Sequence, residues 1–241
     1  MDEKLKNLIK LDDVKSIMQF LQQPTLKVAE ALTGILTSDL KDWKLSAGRI
    51  LQSVITGNLL TQLGREIEKY QKEGKIKEDY LENDINCASL KELLKFIDEE
   101  APDEVRFKAM KSIFFSSIDG GDDSLAYELM QICKKLSSME ILILSANYSV
   151  VKGTSKPTTK GIEWGATRQV NYWAQIIAEQ IGHNLPEIVL QYEDHLIALR
   201  LISDRHYTID KTRVTENFKG TSYFRLTQLG HKLCEFIIKY E

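Results

Sequence analysis

The amino-acid sequence predicts a mainly α-helical protein, in which a helical bundle precedes a winged-helix-like C-terminal domain with a small β-hairpin. Apolar residues recur at helical spacing through most of the chain, and only four prolines interrupt its 241 residues. Near the C-terminus the pattern changes to two helices, two short β-like segments and a closing helix. We therefore expect an α-helical domain over residues 1–148, a linker or mobile loop over 149–161 and a winged-helix-like domain over 162–241.

The first part of the chain is predicted to form three amphipathic helical stretches, of which the first is one helix or two. Apolar residues share one helical face over residues 2–23, over 26–40 and again from Trp43 to Ile67. The following segment, 66–84, is dense in charges of both signs that alternate along it. This alternation favours a solvated helix end and a linker over a binding tail.

Local signals predict where the next helices begin. The predicted starts are Ser89, Asp103, Asp123 and Ser137. Ser89 and Glu92 have the spacing of a capping box, in which each side chain accepts a hydrogen bond from the other residue's backbone N–H. The Gly-, Ser- and Thr-rich stretch 149–161 then predicts the linker.

The C-terminal domain has the element order of a winged helix, which contains a helix-turn-helix. Its first helix is predicted over 166–181, and two short helices that bend near 191–194 follow Pro186. Two strands are predicted over 207–214 and 222–225, with the wing tip at 217–220. The closing helix is predicted over 226–240.

Composition limits the environment and the partners. The 32 Lys and Arg residues against 35 Asp and Glu leave a net charge of −3, so no overall basic field indicates nucleic acid. Three widely spaced cysteines favour a reducing cytoplasm over a disulfide framework. No apolar run approaches the ~20 residues of a membrane-spanning helix, and the charged N-terminus is unlike a signal peptide. We therefore expect a cytoplasmic protein without a membrane span.

A winged helix often binds DNA, so the charges of this domain bear on function. The segment that would enter the major groove carries Glu187, Glu193 and Asp194 against a single basic residue, Arg200. Carboxylates repel phosphates, and this favours a protein partner over DNA. The wing is basic, and five of its residues are candidate contacts to phosphate or to a partner: Arg205, Lys211, Arg213, Lys219 and Arg225.

Catalytic motifs are missing from the sequence. The four histidines and three cysteines have no metal-ligand spacing, and the acidic loop at Asp119–Asp123 lacks the calcium-binding pattern. No phosphate-binding loop, dinucleotide fingerprint or nucleophile elbow occurs. We expect a protein that is not an enzyme and that holds neither a cofactor nor a metal.

Several short motifs resemble a bacterial family. They are Ile35–Leu40, Asp42–Lys44, Leu93–Leu94, Asp98–Glu100, Asp103–Val105, Ile132–Leu142 and Leu226–Gly230. Together they are similar to the abortive-infection alpha proteins, a family of unknown function associated with phage resistance. The resemblance implies a bacterial cytoplasmic protein and supplies no catalytic residues.

We therefore expect a non-enzymatic anti-phage component that acts through protein–protein contacts, either with a partner or by self-association. The alternative is a winged-helix DNA-binding transcriptional regulator that uses the basic wing. A third possibility is a membrane-acting effector that uses the glycine-interrupted helices between Leu26 and Leu63.

Overall fold

The computed structural model describes residues 43–76, 84–119, 123–153, 168–210 and 213–240. These residues are mainly helical, with eight helices and one two-stranded antiparallel sheet near the C-terminus. The chain divides into two compact units between Lys134 and Lys135. The helices predicted over 2–23 and 26–40 lie outside the described residues, and so do residues 77–83 of the predicted helix end and linker 66–84.

Four described helices belong to the first unit: α1 (Trp43–Lys72), α2 (Asp84–Glu100), α3 (Glu104–Ile118) and α4 (Asp123–Cys133). Helix α3 contacts both α2 and α4, and most of its residues are buried, including Phe107, Met110 and Phe114. Its start confirms the prediction at Asp103, whose carboxylate accepts a hydrogen bond from the Arg106 N–H. The predicted start at Asp123 is confirmed as well.

The predicted helix start at Ser89 is wrong. Helix α2 begins at Asp84, so Ser89 lies inside the helix, where it is fully buried and its hydroxyl has no hydrogen-bond partner among the described residues. The expected capping partner, Glu92, instead accepts a hydrogen bond from the Lys134 Nζ at 2.8 Å. Asp84 provides the acidic group in the first turn, where it is favoured by the helix dipole.

The second unit contains the remaining described elements: α5 (Ser138–Lys152), α6 (Val170–Gln180), α7 (Pro186–Ala198), β1 (Arg205–Asp210), β2 (Arg213–Phe218) and α8 (Gln228–Ile238). Helix α5 contacts α6, α7 and α8, and it therefore belongs to this unit rather than to the expected 1–148 domain. Of the predicted linker 149–161, residues 149–152 end helix α5 and Gly153 is its left-handed C-cap. Residues 154–161 lie outside the described part.

Three details of the predicted C-terminal order are wrong. Helix α7 is continuous and does not form the two short helices that the sequence predicts. Its buried residues, Val189, Glu193 and Leu196, lie on a single face. The strands pair Arg205 with Phe218 and Asp210 with Arg213, so the predicted wing tip at 217–220 includes the end of β2. The predicted second strand, 222–225, forms only isolated bridges, such as Thr221 to Phe224.

The start of α5 is fixed by a capping box, which confirms the predicted cap at Ser137. The Ser137 hydroxyl accepts a hydrogen bond from the Glu140 N–H at 3.3 Å, and the Glu140 carboxylate accepts one from the Ser137 N–H at 2.7 Å. Replacing Ser137 with alanine is expected to lower the free energy of unfolding by about 1 kcal/mol, because the cap is lost. Thermal denaturation followed by circular dichroism measures this loss. The Ser137→Thr control keeps the hydroxyl and should remain close to wild type.

Candidate contact surface of the C-terminal hairpin

A tight joint connects helix α8 to the end of helix α7. The Thr227 N–H donates to the Leu201 carbonyl at 3.0 Å, and the Thr227 hydroxyl donates to the Arg200 carbonyl at 2.6 Å. The same hydroxyl accepts a hydrogen bond from the Gly230 N–H at 3.0 Å and so caps α8. A Cβ atom on Gly230 would lie 2.0 Å from the Leu201 carbonyl oxygen. The Leu226–Gly230 motif is thus explained by a threonine cap and a glycine at a close backbone contact.

A buried charge cluster, formed by Glu193, Arg205 and Arg225, joins α7 to the hairpin. Glu193 lies in the middle of α7 and is fully buried. Its carboxylate accepts hydrogen bonds from the Arg205 Nε at 2.8 Å and from the Arg225 Nη2. Because Arg205 is the first residue of β1, the cluster fixes the base of the hairpin to the helix.

Aromatic rings enclose the innermost member of the charge cluster. The Arg225 guanidinium lies 4.3 Å from the centre of the Trp173 ring and 5.1 Å from that of Phe218. Burial lowers the pKa of Arg225, and the neighbouring Glu193 carboxylate opposes this shift. The pKa of Arg205 is raised, chiefly by its hydrogen bond to Glu193. Glu193 thus stabilises the charged form of both guanidinium groups.

The five predicted contact residues have different positions in the structure. Arg225 is fully buried, which removes it from the surface expected for a phosphate contact. Arg205 is 27% exposed and bonded to Glu193, whereas Lys219 is exposed just after β2. Arg213 lies opposite Asp210 in the hairpin, and Lys211 falls outside the described residues. Glu193 is buried as well. It is therefore not an acidic surface group that faces a ligand, although the sequence predicts one at this position.

The exposed feature of the hairpin is apolar rather than basic. Tyr207, Ile209 and Val214 are 62%, 75% and 65% exposed, and we call these three residues the hairpin patch. Ile209 lies directly opposite Val214, and Tyr207 is two residues before Ile209, so all three share one face of the sheet. Phe218 lies on the same face at the base of the hairpin, and it is buried.

Sequence reasoning missed the hairpin patch. The alternation of Tyr207 with Ile209, and of Val214 with Phe218, is a strand signal on both sides of positions 211–212. Those two positions are Lys and Thr and lack the Gly or Asn typical of a tight turn, so the sequence pattern predicts the turn at 217–220 instead. Which alternating residues stay exposed depends on how the hairpin meets the helices, and the sequence pattern does not contain this information.

A second polar contact links α5 to α7. The His195 Nδ1 lies 2.5 Å from the Glu140 Oε1, and the Glu140 side chain is buried while that of His195 is 47% exposed. A carboxylate that orients an imidazole is common in catalytic sites, but such a site also needs a nucleophile or a metal. Within the described ranges no group of three or more His, Cys, Asp or Glu side chains could hold a metal ion. Glu140 also belongs to the capping box, so the contact has a structural use.

Two further observations concern reactivity and membranes. Burial raises the pKa of the Cys133 thiol to about 12, so at neutral pH it is protonated and is not a nucleophile. Among the helices that the structure describes, none combines the length and the apolar character needed to cross a bilayer.

Comparison with known proteins gives no match. No protein-family model, no curated protein and no solved structure is detectably similar to the chain.

Proposed function

We propose that this protein is a non-enzymatic component of bacterial anti-phage defence, and that its C-terminal unit is a winged-helix-like module that makes protein–protein contacts through the hairpin patch. The observation that carries the proposal is the exposure of Tyr207, Ile209 and Val214 side by side on one face of the sheet. Exposed apolar groups that are contiguous mark interaction sites more often than scattered ones do.

The chemistry of the surface favours a protein partner over a nucleic acid. An aromatic ring with two β-branched aliphatic side chains matches the composition of the centre of a protein interface. Nucleic-acid affinity comes largely from cations that neutralise phosphates. Helix α7 would be the reading helix, and its exposed residues include the acids Glu187 and Asp194.

The base of the hairpin supports the same role. Arg205 is held by Glu193, and Phe218, opposite Arg205, is buried against the Arg225 guanidinium. A hairpin that is fixed at its base loses less conformational freedom when its outer part binds a partner. The charge cluster therefore orients the hairpin patch in advance of binding.

The role in defence rests on the resemblance of the short motifs to the abortive-infection alpha family, and a plating assay tests it. We expect bacteria that express the chain to reduce phage plating, and the double variant Ile209→Ser with Val214→Ser to lose at least about nine-tenths of that protection. Equal expression of the variants is checked by immunoblotting.

A matched control separates the hairpin patch from exposed apolar groups in general. Leu185 is 59% exposed and precedes α7 at a cap position without a side-chain hydrogen bond, where serine is well tolerated. Leu185→Ser should protect as the wild type does. Full protection by the double variant would contradict the proposed contact surface, and a wild-type chain without any protection would contradict the role in defence.

The alternative function is DNA-binding regulation. It is favoured by the order of α6, α7 and the hairpin, and by Glu193, whose charge is neutralised internally instead of facing a groove. A gel-shift titration distinguishes the two. Salt-sensitive binding that weakens when Lys211 and Arg213 are both replaced by alanine would support the alternative, and absence of binding at low salt would exclude it.

A further inference from the structure

His195 and Glu140 form a carboxylate–imidazole pair that leaves one nitrogen of the ring free. The His195 Nδ1 lies 2.5 Å from the Glu140 Oε1, and an ionised carboxylate can only accept hydrogen bonds. The Nδ1 atom therefore carries the proton of the neutral imidazole, and the lone pair is on Nε2. In the part of the chain that the structure describes, Nε2 makes no hydrogen bond, and the side chain is half exposed. His195 thus offers a nitrogen lone pair of fixed position to reagents from solvent.

The Glu140 carboxylate is held in place before any reaction at the ring. Its Oε2 atom accepts hydrogen bonds from the Ser137 N–H at 2.7 Å and from the Ser137 hydroxyl at 2.8 Å, which leaves Oε1 for His195. The Glu140 side chain is buried, so its charge is only weakly screened. A carboxylate in this position fixes the imidazole and stabilises the positive charge that a reaction at Nε2 places on the ring.

The other histidines of the chain lack this arrangement. Within the described ranges, neither His183 nor His206 has a carboxylate at hydrogen-bond distance. His231 is buried and stacked on Tyr223, and its Nδ1 lies 3.8 Å from the Glu235 Oε1, which is beyond hydrogen-bond distance. Among the described histidines, His195 therefore stands apart in combining an exposed ring with a hydrogen-bonded carboxylate.

We propose that the His195 Nε2 accepts a phosphoryl group from donors that contain a P–N bond, and that His195 is thus a modification site. The imidazole itself is the nucleophile. The lone pair of Nε2 forms the new N–P bond, the P–N bond of the donor breaks, and the amine leaves with the electron pair of that bond. The donor nitrogen is already protonated, so the amine leaves as a neutral molecule. The ring gains one positive charge, and its Nδ1–H stays hydrogen-bonded to Glu140.

The position of the pair favours a phosphoryl group over an uncharged electrophile. Glu140 lies in the first turn of α5, where the positive end of the helix dipole favours negative charge nearby. The charges of Glu140 and of the reacted ring cancel, so the pair presents no net negative charge to the phosphoryl group. Phosphorylation adds about two negative charges to α7 next to the exposed Asp194. The site uses no residue of the hairpin patch and goes beyond the proposed function.

Phosphoramidate is the probe that tests this site. The full chain is incubated with it, and phosphorylation of each histidine is measured by mass spectrometry under alkaline conditions, in which the N–P bond survives. His206 is the internal control, because it is exposed and has no carboxylate partner in the described ranges. His195 is expected to react at least about tenfold faster than His206, since a charge-assisted hydrogen bond stabilises its positively charged ring.

The variant Glu140→Gln isolates the effect of the carboxylate. Glutamine keeps the capping box of α5, and circular dichroism checks that the fold is retained. The rate at His195 should fall to that at His206, while the rate at His206 stays unchanged. A wild-type chain in which His195 reacts no faster than His206 would overturn the proposal without the need for any variant. A fast reaction at His195 that survives Glu140→Gln, or a phosphoryl group attached to Nδ1 instead of Nε2, would overturn it as well.

Discussion

Gly230→Ala is expected to lower the free energy of unfolding of the C-terminal unit by about 3 kcal/mol or more. The added Cβ would lie 2.0 Å from the Leu201 carbonyl oxygen, far inside van der Waals contact. That oxygen cannot easily move, because it accepts the Thr227 N–H that begins the joint to α8. Relief of the clash therefore requires α8 to shift away from the end of α7, with loss of packing by Leu233 and Phe236 on its buried face.

Urea denaturation followed by circular dichroism measures this effect. Gly182→Ala is the matched control, because a Cβ atom there would meet nothing within 4 Å. Gly182 has a positive φ of 79°, so alanine is expected to cost only about 1 kcal/mol there. If Gly230→Ala lowers stability no more than the control does, the close approach of α8 to Leu201 does not limit stability.

Glu193→Ala is expected to lower the free energy of unfolding by about 3–5 kcal/mol, because it leaves the buried Arg225 without its counter-charge. Arg225 has no exposed surface, and among the described residues its remaining hydrogen-bond acceptor is the Ser203 carbonyl at 3.3 Å. Arg205 would lose the same partner but would keep its contact with the Glu216 carboxylate at 3.5 Å.

The variant Arg205→Ala is the control for Glu193→Ala, and the two losses of unfolding free energy are compared. That variant leaves the Glu193–Arg225 pair intact, and Arg205 is 27% exposed, so a loss of about 1 kcal/mol is expected. Denaturation of both variants under the same conditions gives their order. Equal losses would show that Glu193 does not carry the charge balance of the cluster.

The sequence predicts those features of the fold that depend on neighbouring residues. The cap at Ser137 needs only Glu140 three residues later, and the start of α3 needs only the carboxylate of Asp103. The mainly helical character and the small hairpin near the C-terminus follow in the same way from spacing along the chain.

Features that depend on distant residues could not be predicted from the sequence. Glu193 has the residue type of a surface position, and its burial requires Arg225, which lies 32 residues further along the chain. At Ser89 a local signal is present but misleading. The capping pattern predicts a helix start there, whereas helix α2 begins earlier in the chain, at Asp84. The hairpin patch was missed for a related reason, since the exposure of an apolar strand residue is set by tertiary packing.

The charge cluster also limits the order in which its residues can change in evolution. Loss of Arg205 leaves a neutral buried pair, so this position can vary first. Loss of either Glu193 or Arg225 alone leaves a buried charge, whereas their joint replacement by apolar residues of similar volume is often tolerated. We therefore expect Glu193 and Arg225 to vary together in related chains, as a pair that is either kept or replaced whole.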